Sequence, residues 1–88
     1  MGTNRMHVWK CKLTPESLTY LRDQTELRDI ANVVEINAEP DTPEHHLREQ
    51  ALDVITLLLR QQIKDIPERR LATLRRQLSI ECELIGKA

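Results

Sequence analysis

In the stretch EPDTPEHHLREQ, residues 39–50, His45 and Glu49 stand four apart, the spacing that sets two ligands on one face of a helix, and Asp41 is near enough to be a third. Such a set could hold a divalent metal. His46, however, turns about 100° away from His45 in a helix, so only one histidine points in that direction, and His7 is isolated near the start of the chain. The pair reads as the solvated first turns of an exposed helix, and no metal is expected.

Nucleophilic chemistry needs a thiol or hydroxyl with a base and a group to orient it. Cys11 lies between Lys10 and Lys12, whose charges favour a thiolate, but no histidine is placed by sequence to act on it. Cys82 recurs with leucines at helical spacing, where a thiol behaves as a small core residue. Gly2 and Gly86 are the only glycines, too few for a phosphate-cradling loop or a dinucleotide turn. The chain is expected to be no enzyme, with no cofactor and no small-molecule substrate.

The most conspicuous charges are the two arginine pairs of ERRLATLRRQL, residues 68–78. On a helix, Leu71, Leu74, Leu78, Cys82 and Ile85 form one stripe. Arg70 and Arg75 flank it, while Arg69 and Arg76 point away. A helix that reads DNA aims its basic side chains in one direction, toward a groove; here they ring the helix. The reading favoured is a solvated face, with the stems of Arg70 and Arg75 laid along the core edge.

Composition sets the frame for these residues. At 88 residues the chain fits one domain, and a domain of this size buries only about two thirds of the surface its unfolded form exposes. Trp9 and Tyr20 are the only aromatics, too few for the stacking platforms of single-strand binders. Net charge is −1, distributed as +3 over residues 1–22, −7 over 23–53 and +3 over 54–88. The acidic middle would repel a polyanion, so a nucleic-acid contact would be confined to one end. With two cysteines near opposite ends and no C-x-x-C pair, a reducing cytoplasm is the expected location. No apolar run approaches the roughly 20 residues of a membrane span, MGTNRM lacks a signal-peptide core, and Met6 stands where myristoylation after Gly2 asks for serine or threonine. None of Asn4, Asn32 and Asn37 begins a glycosylation acceptor.

The prolines mark where helices start. LTPESL puts Thr14 at an N-cap, Pro15 at the first helical position and Glu16 in the first turn, with Leu13 and Leu18 placed as a hydrophobic staple. Thr42, Pro43 and Glu44 repeat the device, and Pro67 with Glu68 begins a third element for which Gly86 is a candidate C-terminal cap. The pattern predicts a mainly α chain: an extended segment over 1–13, then one helical domain over 14–88 with helices at 15–36, 43–65 and 67–85. The alternative is α+β, with short strands at 7–13 and 80–85, because HVWKCKL and SIECELI alternate and would set Glu81 and Glu83 opposite Lys12 and Lys10. NVVEIN, rich in β-branched residues, also admits a strand, but Leu27, Ile30, Ala31 and Val34 keep helical spacing and favour helix.

The second helix carries Leu47, Ala51, Leu52, Val54, Ile55, Leu58, Leu59, Ile63 and Ile66 over an arc of roughly 180°, wider than one neighbour covers, with Leu57 standing off the arc. Ile80 and Leu84, four apart, lie off the stripe of the third helix. Leu57, Ile80 and Leu84 are therefore the expected contact residues. The function expected is a small helical protein acting by protein–protein interaction, as a regulator, adaptor or inhibitor, with a homodimer as the natural self-contact. The alternative is a dimeric DNA- or RNA-binding regulator using Arg69, Arg70, Arg75 and Arg76. No membrane partner is expected.

Overall fold

In the computed structural model, which describes residues 6–87, the order is β1 (His7–Leu13), α1 (Pro15–Thr25), β2 (Val33–Ala38), α2 (Glu44–Gln62), α3 (Glu68–Arg76) and β3 (Ile80–Lys87). The strands form one antiparallel sheet in the order β2-β1-β3. The fold is α+β, which corrects the mainly α, all-helical bundle expected above. The expected N-terminal segment is in fact the central strand, and both regions assigned to helix ends, 30–36 and 80–85, lie in or lead into strands. Gly86, expected as a helix cap, lies inside β3 without a positive φ.

α1 begins where the sequence places it. Thr14 is extended, Pro15 follows, and the Ser17 backbone N–H donates to Thr14 Oγ1 at 3.2 Å. It ends early, at Thr25, because Glu26 turns left-handed with φ 63 and its N–H closes onto the Arg22 carbonyl. Beyond it, the β-branched pattern of VVEINA prevails over the helical spacing. Val34, Ile36 and Ala38 point into the core and Val33, Glu35 and Asn37 away from it.

α3 stops at Arg76 for a reason no local propensity supplies. Gln77 and Leu78 donate to carbonyls three residues back, tightening the last turn. Then the Ser79 N–H leaves the helix and donates to Ser17 Oγ at 2.7 Å, while the Ser79 carbonyl accepts from the Thr14 N–H at 3.1 Å. Ser17 is buried, and its hydroxyl also accepts from Thr14 Oγ1 at 3.0 Å. The chain leaving α3 is thereby laid beside β1, and the alternation of IECELI takes over. Cα partners include Lys12 with Glu81 and Lys10 with Glu83, and on the other side Lys10 with Glu35.

Helices cover one face of this sheet. α2 packs on β2 and β3 and also against α3, which is why its apolar arc is so wide. Leu47, Ala51, Leu52, Ile55 and Leu59 are buried there with Leu71, Leu74 and Leu78, over Cys11, Leu13, Val34, Ile36 and Ile80 of the sheet. Among the described residues no helix is long and apolar enough to cross a membrane.

Cys11 and Cys82 are directly opposed across β1 and β3 and form a disulfide that closes a separation of 71 residues. A cross-link over a loop of that size stabilises by about 4 kcal/mol through the unfolded chain alone, a large share of a small domain's margin. Reduction with dithiothreitol should therefore lower the unfolding temperature by on the order of 20 °C, and thiol titration of the denatured, unreduced protein should find no free cysteine. Separately, Ser17→Ala removes the acceptor of the part-buried Ser79 N–H bond and should cost about 1 kcal/mol in denaturant unfolding. Thr19→Ala, on the exposed side of the same helix, should leave the midpoint unchanged.

Candidate interaction surface

The side chains proposed for chemistry by spacing do not converge. His45 and His46 are both exposed, their rings edge to face with centroids 4.3 Å apart. Glu49 is turned to Arg75, with Nη2 to Oε1 at 3.1 Å. Among the described residues no group of three His, Cys, Asp or Glu side chains is placed to hold a metal. Gly2 lies outside the described residues.

The four arginines separate as their directions on the helix require. Arg75 bonds Asp53 and Glu49 of α2, and Arg70 Nη2 donates to the Gln24 carbonyl at the end of α1 at 2.6 Å. These are the two that flank the leucine stripe, and both work as ties between helices. A further tie runs from Arg60 to Glu68 at 2.7 Å. Arg69 and Arg76 are exposed and make no ion pair among the described residues. A surface depression on α3 is lined by Pro67, Arg69, Arg70 and Thr73, and of the four arginines only Arg69 and Arg76, seven apart, share a direction on the helix. Arg69 and Arg76 thus remain without a tie to another helix, where the alternative reading uses all four arginines.

The expected contact residues part company too. Leu57, on the outer side of α2, is 52 % exposed, with Val54 beside it one turn back at 38 %. Leu84 is 49 % exposed on the helix-side face of β3, directly opposite Trp9, and Ile85 next to it is 46 % exposed. Ile80 is only 5 % exposed: on a strand, residues four apart share a face as they do on a helix, so Ile80 looks inward over the core while Leu84 lies beyond it. The Trp9 indole N–H is buried without a hydrogen-bond partner, an arrangement that costs free energy until an acceptor reaches it.

What sequence reading missed is the edge itself. β3 pairs with β1 on one side only, and among the described residues no loop, helix or side chain bonds its other side. A row of unsatisfied N–H and C=O groups runs along Ile80–Lys87, broken by an irregularity where the register shifts opposite Val8 and Trp9. Beside its first residues lies an open groove of about 580 Å³. Its lining includes His45, Arg48 and Leu52 from α2, with Leu78, Ser79 and Ile80. The alternation of SIECELI was the one available signal for this edge.

No protein-family model matches the chain, and neither the curated proteins nor the solved structures yield a match.

If Arg75 and Arg70 are ties rather than ligands, Arg75→Gln should lower stability by about 1 kcal/mol, less in high salt. Arg76→Gln should be silent in the same urea titration. Equal effects would remove the distinction drawn between the flanking and outward arginines.

Proposed function

We propose that this chain is a small non-enzymatic interaction protein, a regulator, adaptor or inhibitor that works by binding other proteins and also associates with itself. The observation that carries this reading is the unpaired edge of β3 with Leu84 and Ile85 exposed beside it. Strand edges of this kind are templates for a further strand unless charge, proline or a bulge blunts them. Here Glu81 and Glu83 of the first half stand on the sheet face opposite the helices, in register with Lys12 and Lys10, and the apolar pair lies in the second half. Leu57 and Val54 on α2 supply a second, separate patch. The side chains that could do chemistry are scattered, whereas unpaired backbone and exposed apolar side chains, Leu84 and Ile85, occur together on β3.

Sedimentation at micromolar concentrations should show association that grows with concentration. Leu84→Ser and Leu57→Ser should each weaken it by about tenfold without lowering the unfolding temperature, since both side chains are half in water. Strictly monomeric behaviour up to about 1 mM, with no protein retained from a cell extract, would remove the reading.

A further inference from the structure

The groove beside β3 has three features that together define what fits it. Its one wall is a strand edge with unbonded main-chain groups, starting at Ile80. Its apolar lining is Leu52, Leu78 and Ile80, inner members of the core that the groove leaves reachable at their rims. Its opposite wall is one face of α2, with His45, Arg48, Glu49 and Leu52 at successive i, i+3, i+4, i+7 positions.

Charge is unevenly compensated along that wall. Glu49 is held by Arg75, and Glu81, lining the groove mouth, belongs to the strand face opposite the one Ile80 occupies, in register with Lys12. Arg48 is paired only with Glu44, one turn back at 3.1 Å, and both side chains are about half in water, so the pair is weak and can exchange partners. The start of α2 adds to this end of the groove: Pro43 caps it with no side-chain hydrogen bond, leaving the first N–H groups of the helix to solvent or ligand.

We propose that this groove binds an extended peptide segment with an apolar residue followed two positions later by an acidic one, added as a fourth strand antiparallel to β3. This rests on the interaction reading above and names the partner's chemistry. Main-chain hydrogen bonds to the β3 edge fix the peptide as extended. Because residues two apart share a face of a strand, the apolar side chain settles over Leu52, Leu78 and Ile80 while the carboxylate on the same side meets Arg48 and His45. Antiparallel addition runs the peptide toward Ile80 at its C-terminal end, which brings the acidic residue to the start of α2, where Arg48 and the first backbone N–H groups of the helix can meet it. Affinity comes from the backbone and selectivity from the two side chains, the division of labour of strand addition.

The test uses the whole oxidised protein and a hexapeptide, Thr-Val-Thr-Ile-Thr-Glu, labelled with fluorescein at its N-terminus and amidated at its C-terminus, so that the glutamate side chain is the peptide's own sole carboxylate and the charge of the dye is common to every peptide compared. Anisotropy should give a Kd on the order of 10–100 μM. Replacing the peptide's glutamate by glutamine should weaken binding by about tenfold, as should Arg48→Gln in the protein. Arg48 is exposed, so the unfolding temperature of that variant reports whether it still folds. Hydrogen exchange should show slowed β3 amides on binding and no change in β2, the other edge. Binding that ignores both the glutamine peptide and Arg48→Gln, or no binding at about 1 mM peptide, overturns the proposal. If the peptide fails while raising the protein concentration protects the β3 amides, the edge belongs to a second copy: this proposal falls and the general interaction reading stands. If neither protects them and sedimentation shows only monomer, both fall.

Discussion

The hydrogen bond from the Ser79 N–H to Ser17 Oγ decides the course of the last ten residues. One residue earlier the chain is still winding, with Leu78 donating to the Arg75 carbonyl, and nothing in QLSIE forbids another turn. Ser17 offers a better acceptor because its own hydroxyl is oriented by Thr14, the cap of α1. A device that starts one helix therefore ends another. The Thr14 N–H then takes the Ser79 carbonyl, and β3 is committed to β1 from its first residue. The disulfide locks the same pairing two residues further along each strand.

Placing β1 in the centre has a consequence for charge. Lys10 and Lys12, alternating out of the core, become the middle column of the uncovered sheet face, with Glu83 and Glu35 at the level of Lys10 and Glu81 at the level of Lys12. Opposite charges across neighbouring strands favour this register over a slip by two residues, which would bring Lys12 to Glu83 and leave Lys10 facing Ile85. Glu35 from the acidic middle and Lys10 and Lys12 from the basic start of the chain thereby meet Glu81 and Glu83 on one surface. That surface has no single sign to offer a polyanion. The same pairing leaves β2 and β3 as edges, and a three-stranded sheet with one covered face has no means of closing them.

Much of the helical layer was readable from local pattern. Thr14 and Pro15 start α1 where capping chemistry says they should, the apolar arc of α2 supplies the core residues Leu47, Ala51, Leu52, Ile55 and Leu59, and Leu57 stands outside it. The angular positions of the arginines also foretell which two are used as ties. The sheet was harder to read because its determinants are not local. Helical spacing through Leu27, Ile30 and Val34 competes with the β-branched run that follows, and only pairing with β1 decides between them. In the last segment, Leu71, Leu74 and Leu78 share a helical stripe with Cys82 and Ile85 by arithmetic alone. The stripe ends at Leu78, since the strand that follows turns Cys82 toward the helices and Ile85 away from them. The contact partner of Ser79 lies 62 residues away and that of Cys82 lies 71 away, distances over which periodicity carries no information.

The same long-range pairing bears on the proposal that the chain docks rather than reacts. Catalysis needs side chains from several elements aimed at one point and shielded from water. Here the three elements with ionisable residues to spare spend them elsewhere: α3 gives Arg70 and Arg75 to helix ties, α2 gives Glu49 and Asp53 to the same ties, and β1 gives its lysines to the open face. Beside the outward Arg69 and Arg76, what remains includes backbone along the edges β2 and β3 and apolar surface at Leu84, Ile85, Val54 and Leu57. Unpaired peptide groups have a fixed geometric demand, an extended chain about 4.8 Å away. Among the features left over after folding, a strand edge such as that of β3 is therefore one whose complement can be described from its own geometry.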